Sequence, residues 1–379
     1  MSTASVSRPA YLEAVARIVD KVVAPAAVGI DQNGAFPRAA VEELGKAGLL
    51  GLTSARDVGG MGEGHRAATA VVEALGWACG STAMVVCMHY AGTAVIEAHG
   101  PRALREAIAS GKHLTTLAFS EVGSRSQFWA PLSMAAADDG RVRLDASKSW
   151  VTSAGEADSY VWSSRPVVAS GASTLWVVRR DAPGLSIPAP FNGLGLRGNA
   201  SSPITAKGVM VNATDRLGSD GGGFDIMMGI VLPWFQLMNA GFSLGTMEAA
   251  TAKAAAHAAS TRFEHLGQTL AEQPVTRGHV ARMRVRSDMV RGLLLDTLAA
   301  LESGREDTML RILEVKAAAG EAAIEVTDLA MRLCGGAAFR KEVGVERHFR
   351  DARAATVMAP TTDALYDFIG KAVCGLPLF

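Results

Sequence analysis

Hydrophobic and polar positions follow two different periods along this chain, and the switches between them divide it into three. From residue 9 to about residue 112 the period is helical. Val15, Ile18, Val19, Val22 and Val23 fall on one helical face, and Ala40, Val41, Leu44, Ala47 and Leu49 form a second stripe. Gly59-Gly60-Met61-Gly62 breaks the pattern before a third helix from His65 to Leu75. Ser81 or Thr82 is expected to cap an apolar helix from Met84 to Ala98.

From His113 onward short runs rich in β-branched and aromatic residues take over. They are Leu114 to Phe119, Arg141 to Leu144, Tyr160 to Trp162, Thr174 to Val178 and Ile204 to Val211. Asp138-Asp139-Gly140 and Asp181-Ala182-Pro183-Gly184 supply turns between them. Short, evenly spaced strands predict a small β-barrel or sandwich. After Gly221-Gly222-Gly223 long helices return. Ile312, Val315, Ala319, Ala322, Val326, Leu329 and Leu333 alternate three and four apart, the buried seam of a helix bundle spanning Met309 to Leu333. Met283 to Leu301 carries a similar stripe that Ser303-Gly304 terminates. The expected fold is mainly α with a middle β domain: an N-terminal helical domain at 1–112, a β-barrel at 113–220 and a helical bundle at 221–379.

Composition narrows the function classes. Lysine plus arginine and aspartate plus glutamate both total 37, so there is no basic field for nucleic acid or an anionic membrane. Hydrophobic residues make up 49%, ample for a core, and a neutral chain this apolar is expected to self-associate. Cys79, Cys87, Cys334 and Cys374 are scattered with no metal spacing and read as reduced thiols. The N-terminus has no basic region followed by an apolar run, and no apolar stretch approaches the length of a span. A cytoplasmic protein is therefore expected.

The chemistry lies in a series of short motifs. Ala118-Phe119-Ser120-Glu121-Val122-Gly123-Ser124-Arg125-Ser126 resembles the A-x-T/S-E-P-G-A-G-S-D segment of acyl-CoA dehydrogenases, and Lys148-Ser149-Trp150-Val151-Thr152-Ser153-Ala154-Gly155-Glu156-Ala157-Asp158 resembles their K-x-W/F-I-T-N-G-x-x-A-D. Gly195-Leu196-Arg197-Gly198-Asn199, Leu217-Gly218 with Gly222-Gly223-Phe224, and Cys334-Gly335-Gly336-Ala337-Ala338-Phe339 resemble G-x-R-G-S, L-G-x-x-x-x-G-F and H/C-G-G-x-G-Y/F. Val345-Glu346-Arg347-His348-Phe349-Arg350-Asp351-Ala352-Arg353 resembles the closing V-E-R-x-x-R-D-A-K. The matches are collinear from about residue 40 to 370.

This resemblance implies FAD held between the β domain and the bundle. It carries the flavin edge to Phe119 and Ser120 and to Trp150, Val151 and Thr152, where hydrogen-bond donors stabilise a reduced flavin. Ser126 is implied to meet the flavin pyrophosphate or the substrate's phosphate end, and Arg197 and Phe235 are further expected substrate contacts. Gly335 and Gly336, with Arg262 and Gln273 of a partner subunit, would hold the adenosine half, and Thr361 and Asp363 the pyrophosphate. A homodimer or homotetramer follows, as does an acyl-CoA or carrier-protein thioester substrate with electrons leaving to an electron-transfer flavoprotein.

The sequence departs from the family where the chemistry is most specific. Met358-Ala359-Pro360-Thr361-Thr362-Asp363 stands where the family reads Y-E-G-T-S-E, so Ala359 replaces the glutamate that removes the substrate α-proton. The alternative glutamate position of some relatives, usually followed by arginine, falls on Phe235 and Gln236. Gln127 replaces the usual aspartate after Ser126. Asp363, Glu248 and His89 are the candidate replacement bases, and Glu121 reads as structural. No metal-ligand spacing is present. The leading expectation is α,β-desaturation of an acyl thioester. A flavin-dependent monooxygenase, which needs no α-proton base, and a non-catalytic flavin- or acyl-binding protein are the alternatives.

Overall fold

The computed structural model describes residues 9–124 and 127–378. The chain opens with α1 (Ala10–Ile18) and α2 (Ala24–Asn33), continuous through one wide helical turn at Val19–Val23. Val15, Ile18, Val19 and Val23 point inward, as the first stripe requires. Next come α3 (Arg38–Lys46), α4 (His65–Ala78), α5 (Gly80–His99) and α6 (Arg102–Ala109). The cap expected from Ser81 or Thr82 is not formed, because α5 already begins at Gly80. An added Cβ at Gly80 would lie 2.7 Å from the Asp351 carboxylate, so a larger residue there would push neighbouring side chains aside. Ser81 instead accepts a hydrogen bond from the Gly198 amide at 3.1 Å, tying α5 to the middle domain.

The middle region contains β1 (Thr115–Ala118), β2 (Met134–Asp138), β3 (Arg141–Val151), β4 (Ser159–Ser164), β5 (Thr174–Arg179), β6 (Leu185–Ser186), β7 (Ser202–Asn212) and β8 (Arg216–Leu217). They form two four-stranded sheets, ordered β1-β4-β5-β8 and β2-β3-β7-β6. Among the described strands of these sheets, β1–β4 is the one parallel pair. Asp139 and Gly140, at φ +46° and +75°, make the two-residue turn joining β2 to β3. The β3–β7 register shifts between Lys148 and Val151, and Trp150 takes φ +55° in that bulge.

The chain then enters α7 (Gly223–Ile226), a wide turn at Met227–Val231, and α8 (Leu232–Ser260). A small hairpin, β9 (Arg262–Phe263) with β10 (Gln268–Thr269), leads to α9 (Pro274–Ser303), α10 (Thr308–Cys334), α11 (Val345–Val357) and α12 (Thr362–Val373). Gly304 ends α9 in the left-handed region at φ +65°. The α10 seam is buried. Gly223–Ser260 is long and apolar enough to cross a membrane, with a mean hydropathy of 1.3, but 78% of that window is buried. It is the central core helix, packed on α4 and α10.

Candidate functional site

A buried ion pair fixes the segments after β1 and at the end of β3. Lys148 donates to Glu121 at 2.6 Å, to the Ser163 carbonyl at 2.7 Å and to its hydroxyl at 2.9 Å. Glu121 also accepts from the amides of Leu132 and Ser133 and from the Ser133 hydroxyl. Burial lowers Lys148 to about 8, with Glu121 opposing that fall. Glu121 is thus structural, and the Ser149 amide donating to the Ser120 carbonyl at 2.8 Å completes the join. Val151 and Thr152 are buried beyond the bulge, while Trp150 is turned out, 63% exposed and 4.3 Å from the Phe191 ring.

From this join a chain of rings crosses to the bundle. Phe119 stacks parallel to Phe128 at 6.4 Å, Phe128 meets Trp129 edge-on at 5.2 Å, and Trp129 lies 5.8 Å from Phe368 of α12. Phe128, Trp129 and Phe368 line a small apolar cavity of about 60 Å³, closed by Leu232, Leu313 and Pro360. This is where the β domain, α8, α10 and the α11–α12 junction meet.

Lys316 sits at the same junction and is fully buried. Its amine donates to the carbonyls of Met358 at 3.0 Å and Pro360 at 2.8 Å, one on each side of Ala359. It also lies 5.9 Å from the centre of the Phe235 ring. Ala359 and Phe235, far apart in sequence, therefore flank one amine. Desolvation lowers that amine from 10.5 to about 7. The sequence reading missed Lys316. Its only signal was a charge set inside the apolar seam between Ile312 and Ala319.

The three candidate bases are placed differently from expectation. His89 is fully buried in α5 and saturated: Nε2 donates to the Leu50 carbonyl at 2.9 Å, and Nδ1 accepts from the Thr115 amide at 3.2 Å. Burial holds it neutral, near 4, with no free lone pair for a substrate proton. Glu248 is clamped by Arg284 at 2.8 and 3.0 Å and by Arg291 at 3.3 Å, which commits it to ion pairs with the bundle. Asp363 is exposed in the first turn of α12 and does not line the apolar cavity. Arg197 lines an open polar cleft of about 500 Å³. Its guanidinium, however, donates to the Asp31 carbonyl at 2.7 Å and to Asn192 at 2.7 Å. It staples the end of α2 to the middle domain. Ser126 lies outside the described residues.

A second set of candidates lies at the other end of the bundle. Arg262 is exposed on the β9–β10 hairpin, and Gln273 precedes α9 and donates to Gln268 at 2.9 Å. Gly335 and Gly336 are exposed just past α10, Gly335 at φ +56°, with no atom within 4 Å of an added Cβ at either. Phe339 beyond them is 82% exposed. The antiparallel path of α8, α9 and α10 brings these residues to one end. At 1.5 Å per residue, Gly335 is roughly 33 Å along α10 from Leu313 in the cavity wall.

The acyl-CoA dehydrogenase N-terminal, middle and C-terminal domain models match residues 8–111, 116–209 and 221–374. The chain belongs to the acyl-CoA dehydrogenase family. A probable acyl-CoA dehydrogenase of Bacillus subtilis is 26% identical over 90% of this chain and 91% of its own. The mitochondrial short-chain specific acyl-CoA dehydrogenase of Bos taurus is 27% identical over 91% of this chain and 84% of its own. Butyryl-CoA dehydrogenase of Megasphaera elsdenii superposes with a TM-score of 0.90 at 22% identity, covering 96% of this chain and 97% of that one. That last likeness carries the fold.

Acyl-CoA dehydrogenases are FAD-dependent oxidoreductases, and the residues present fit the cofactor. Thr152 is buried at the end of the bulge, and the hydroxyl of the buried Ser153 beside it has no partner among the described residues. The exposed Trp150 ring and the open Gly335-Gly336 backbone give a flat face and an unobstructed approach.

Proposed function

We propose that this acyl-CoA dehydrogenase family member desaturates an acyl thioester at the α and β carbons, with Lys316 in place of the family carboxylate as proton acceptor. The observation that carries this is the position of one buried amine between Phe235 and Ala359. As a neutral amine, Lys316 spends its two N–H bonds on the Met358 and Pro360 carbonyls, leaving its lone pair free. After it takes the α-proton, the same carbonyls hold the cation. Bound FAD supplies the hydride acceptor. Thr152 orients its edge from the β3 bulge, and the apolar cavity excludes water.

Electrons leave to an external acceptor of the electron-transfer flavoprotein kind. Arg262, Gln273, Gly335 and Gly336 lie too far from the cavity to hold the same FAD molecule, so in this reading they serve a second copy of the chain. Val285 and Met289, 56% and 59% exposed on α9, support such an assembly. Flavin-dependent oxygenation is the second reading, favoured by the displacement of all three expected bases. Anaerobic titration of the yellow protein with a panel of acyl-CoAs separates the two. Bleaching of the oxidised-flavin band supports desaturation. No bleaching, with rapid oxygen uptake once the flavin is chemically reduced beside substrate, supports oxygenation.

A further inference from the structure

One face of α8 carries Leu232, Gln236, Asn239 and Ser243, spaced four, three and four, so they stack as a single stripe. Leu232 lines the apolar cavity with Pro360. The stripe then turns polar while remaining inside the protein. Gln236, Asn239 and Ser243 are all fully buried. Gln236 has no partner for either amide atom, Asn239 has none for its oxygen, and Ser243 has none for its hydroxyl. The Asn239 amide nitrogen has only the Met358 sulfur, at 3.6 Å, a weak acceptor. Thr362, three residues beyond Ala359, adds another buried hydroxyl without a partner. Buried polar groups are nearly always paired, so a cluster with this many free valences beside a cavity calls for a ligand.

We propose that these residues recognise an uncharged hydrogen-bonding group, a hydroxyl or an amide, on the acyl chain a few carbons from the thioester. The inference rests on the thioester reading above. The stripe passes the Lys316 junction, since Phe235 precedes Gln236 and Met358 touches both Asn239 and Lys316. A substrate placed for proton loss there runs its chain along this wall. Side-chain amides offer donors and acceptors together, which matches a hydroxyl or amide better than an alkyl chain. A carboxylate would find no cation in this stripe, whose polar members are Gln236, Asn239 and Ser243, and the Lys316 hydrogens are committed.

The test is a binding series on the FAD-loaded protein, read as the dissociation constant from calorimetry. Butyryl, 4-hydroxybutyryl and succinyl thioesters are compared, each on CoA and on the phosphopantetheine arm alone. The hydroxybutyryl thioester is expected to bind at least about tenfold tighter than butyryl and tighter than succinyl. In Gln236→Leu and Asn239→Leu the hydroxybutyryl-to-butyryl ratio is expected to fall towards one. Equal affinities for butyryl and hydroxybutyryl overturn the polar wall and leave the thioester reading standing. Tightest binding of succinyl overturns it in favour of an anion site. Binding of none of the six thioesters overturns the thioester reading and this inference together. The wild-type series decides the matter even where a variant fails to fold.

Discussion

Lys316→Met separates a base from a strut. Methionine keeps the unbranched stem but leaves the Met358 and Pro360 carbonyls without their donor, at about 1–3 kcal/mol each. Removing a desolvated amine offsets most of that, so stability near neutral pH changes little. The pH dependence carries the information. Burial takes Lys316 from 10.5 down to about 7, so between those values the unfolded chain binds more protons than the folded one. Stability then rises with pH across the window, the reverse of a lysine held charged by an anionic partner. At about 1.36 kcal/mol per unit, the wild type gains roughly 2 kcal/mol over Lys316→Met between pH 7 and pH 9. Urea unfolding of both proteins at fixed pH steps reads this difference directly. Flavin reduction by substrate should rise with pH and level off above about 7, and the variant should lose both that profile and about 10²- to 10⁴-fold in rate. A stability difference that stays flat from pH 7 to pH 9 means the amine is charged throughout, and it refutes Lys316 as the base.

Ala359→Glu places a carboxylate between the two carbonyls that Lys316 holds; it should hold the amine charged and make anaerobic flavin reduction independent of Lys316. No change in the pH–rate profile by stopped flow would count against that geometry. Thr152→Val should slow flavin reduction roughly tenfold or more without releasing FAD; loss of the flavin on gel filtration would show that the hydroxyl has another role. Glu121→Gln strands the fully buried Lys148 and should cost about 3–5 kcal/mol, seen as a lower Tm and weaker FAD retention. An unchanged Tm would mean the pair contributes nothing to the join.

Periodicity was a sound guide wherever a face packs against something large. The α10 seam is buried as its spacing demands, and so is the α1–α2 stripe apart from the half-buried Val22. β2 escaped notice because Met134-Ala135-Ala136-Ala137-Asp138 has no β-branched residue, and its state is set by pairing with β3. α9 begins at Pro274, well before the stripe at Met283, because its first turns are largely exposed and carry no apolar pattern. The Ser81 or Thr82 cap is absent because α5 begins at Gly80, which leaves both residues inside the helix.

The site follows the same logic. Motif matching proposes the flavin-edge segments and ranks replacement bases by residue type, which favours carboxylates and histidine over a lysine. A lysine in an apolar seam reads as a solvent residue until its neighbours are known. Yet the two departures at Phe235 and Ala359 are one change in physical terms. Both positions flank the Lys316 amine. A carboxylate at either would stabilise the ammonium and keep it protonated through neutral pH. With both apolar, only desolvation and two carbonyl dipoles act on the amine, and it titrates near 7. In the proposed reading, apolar residues at both positions are the condition under which this lysine gains a free lone pair. A carboxylate placed at position 359 should then abolish the lysine's titration in the same pH range where it offers a base of its own.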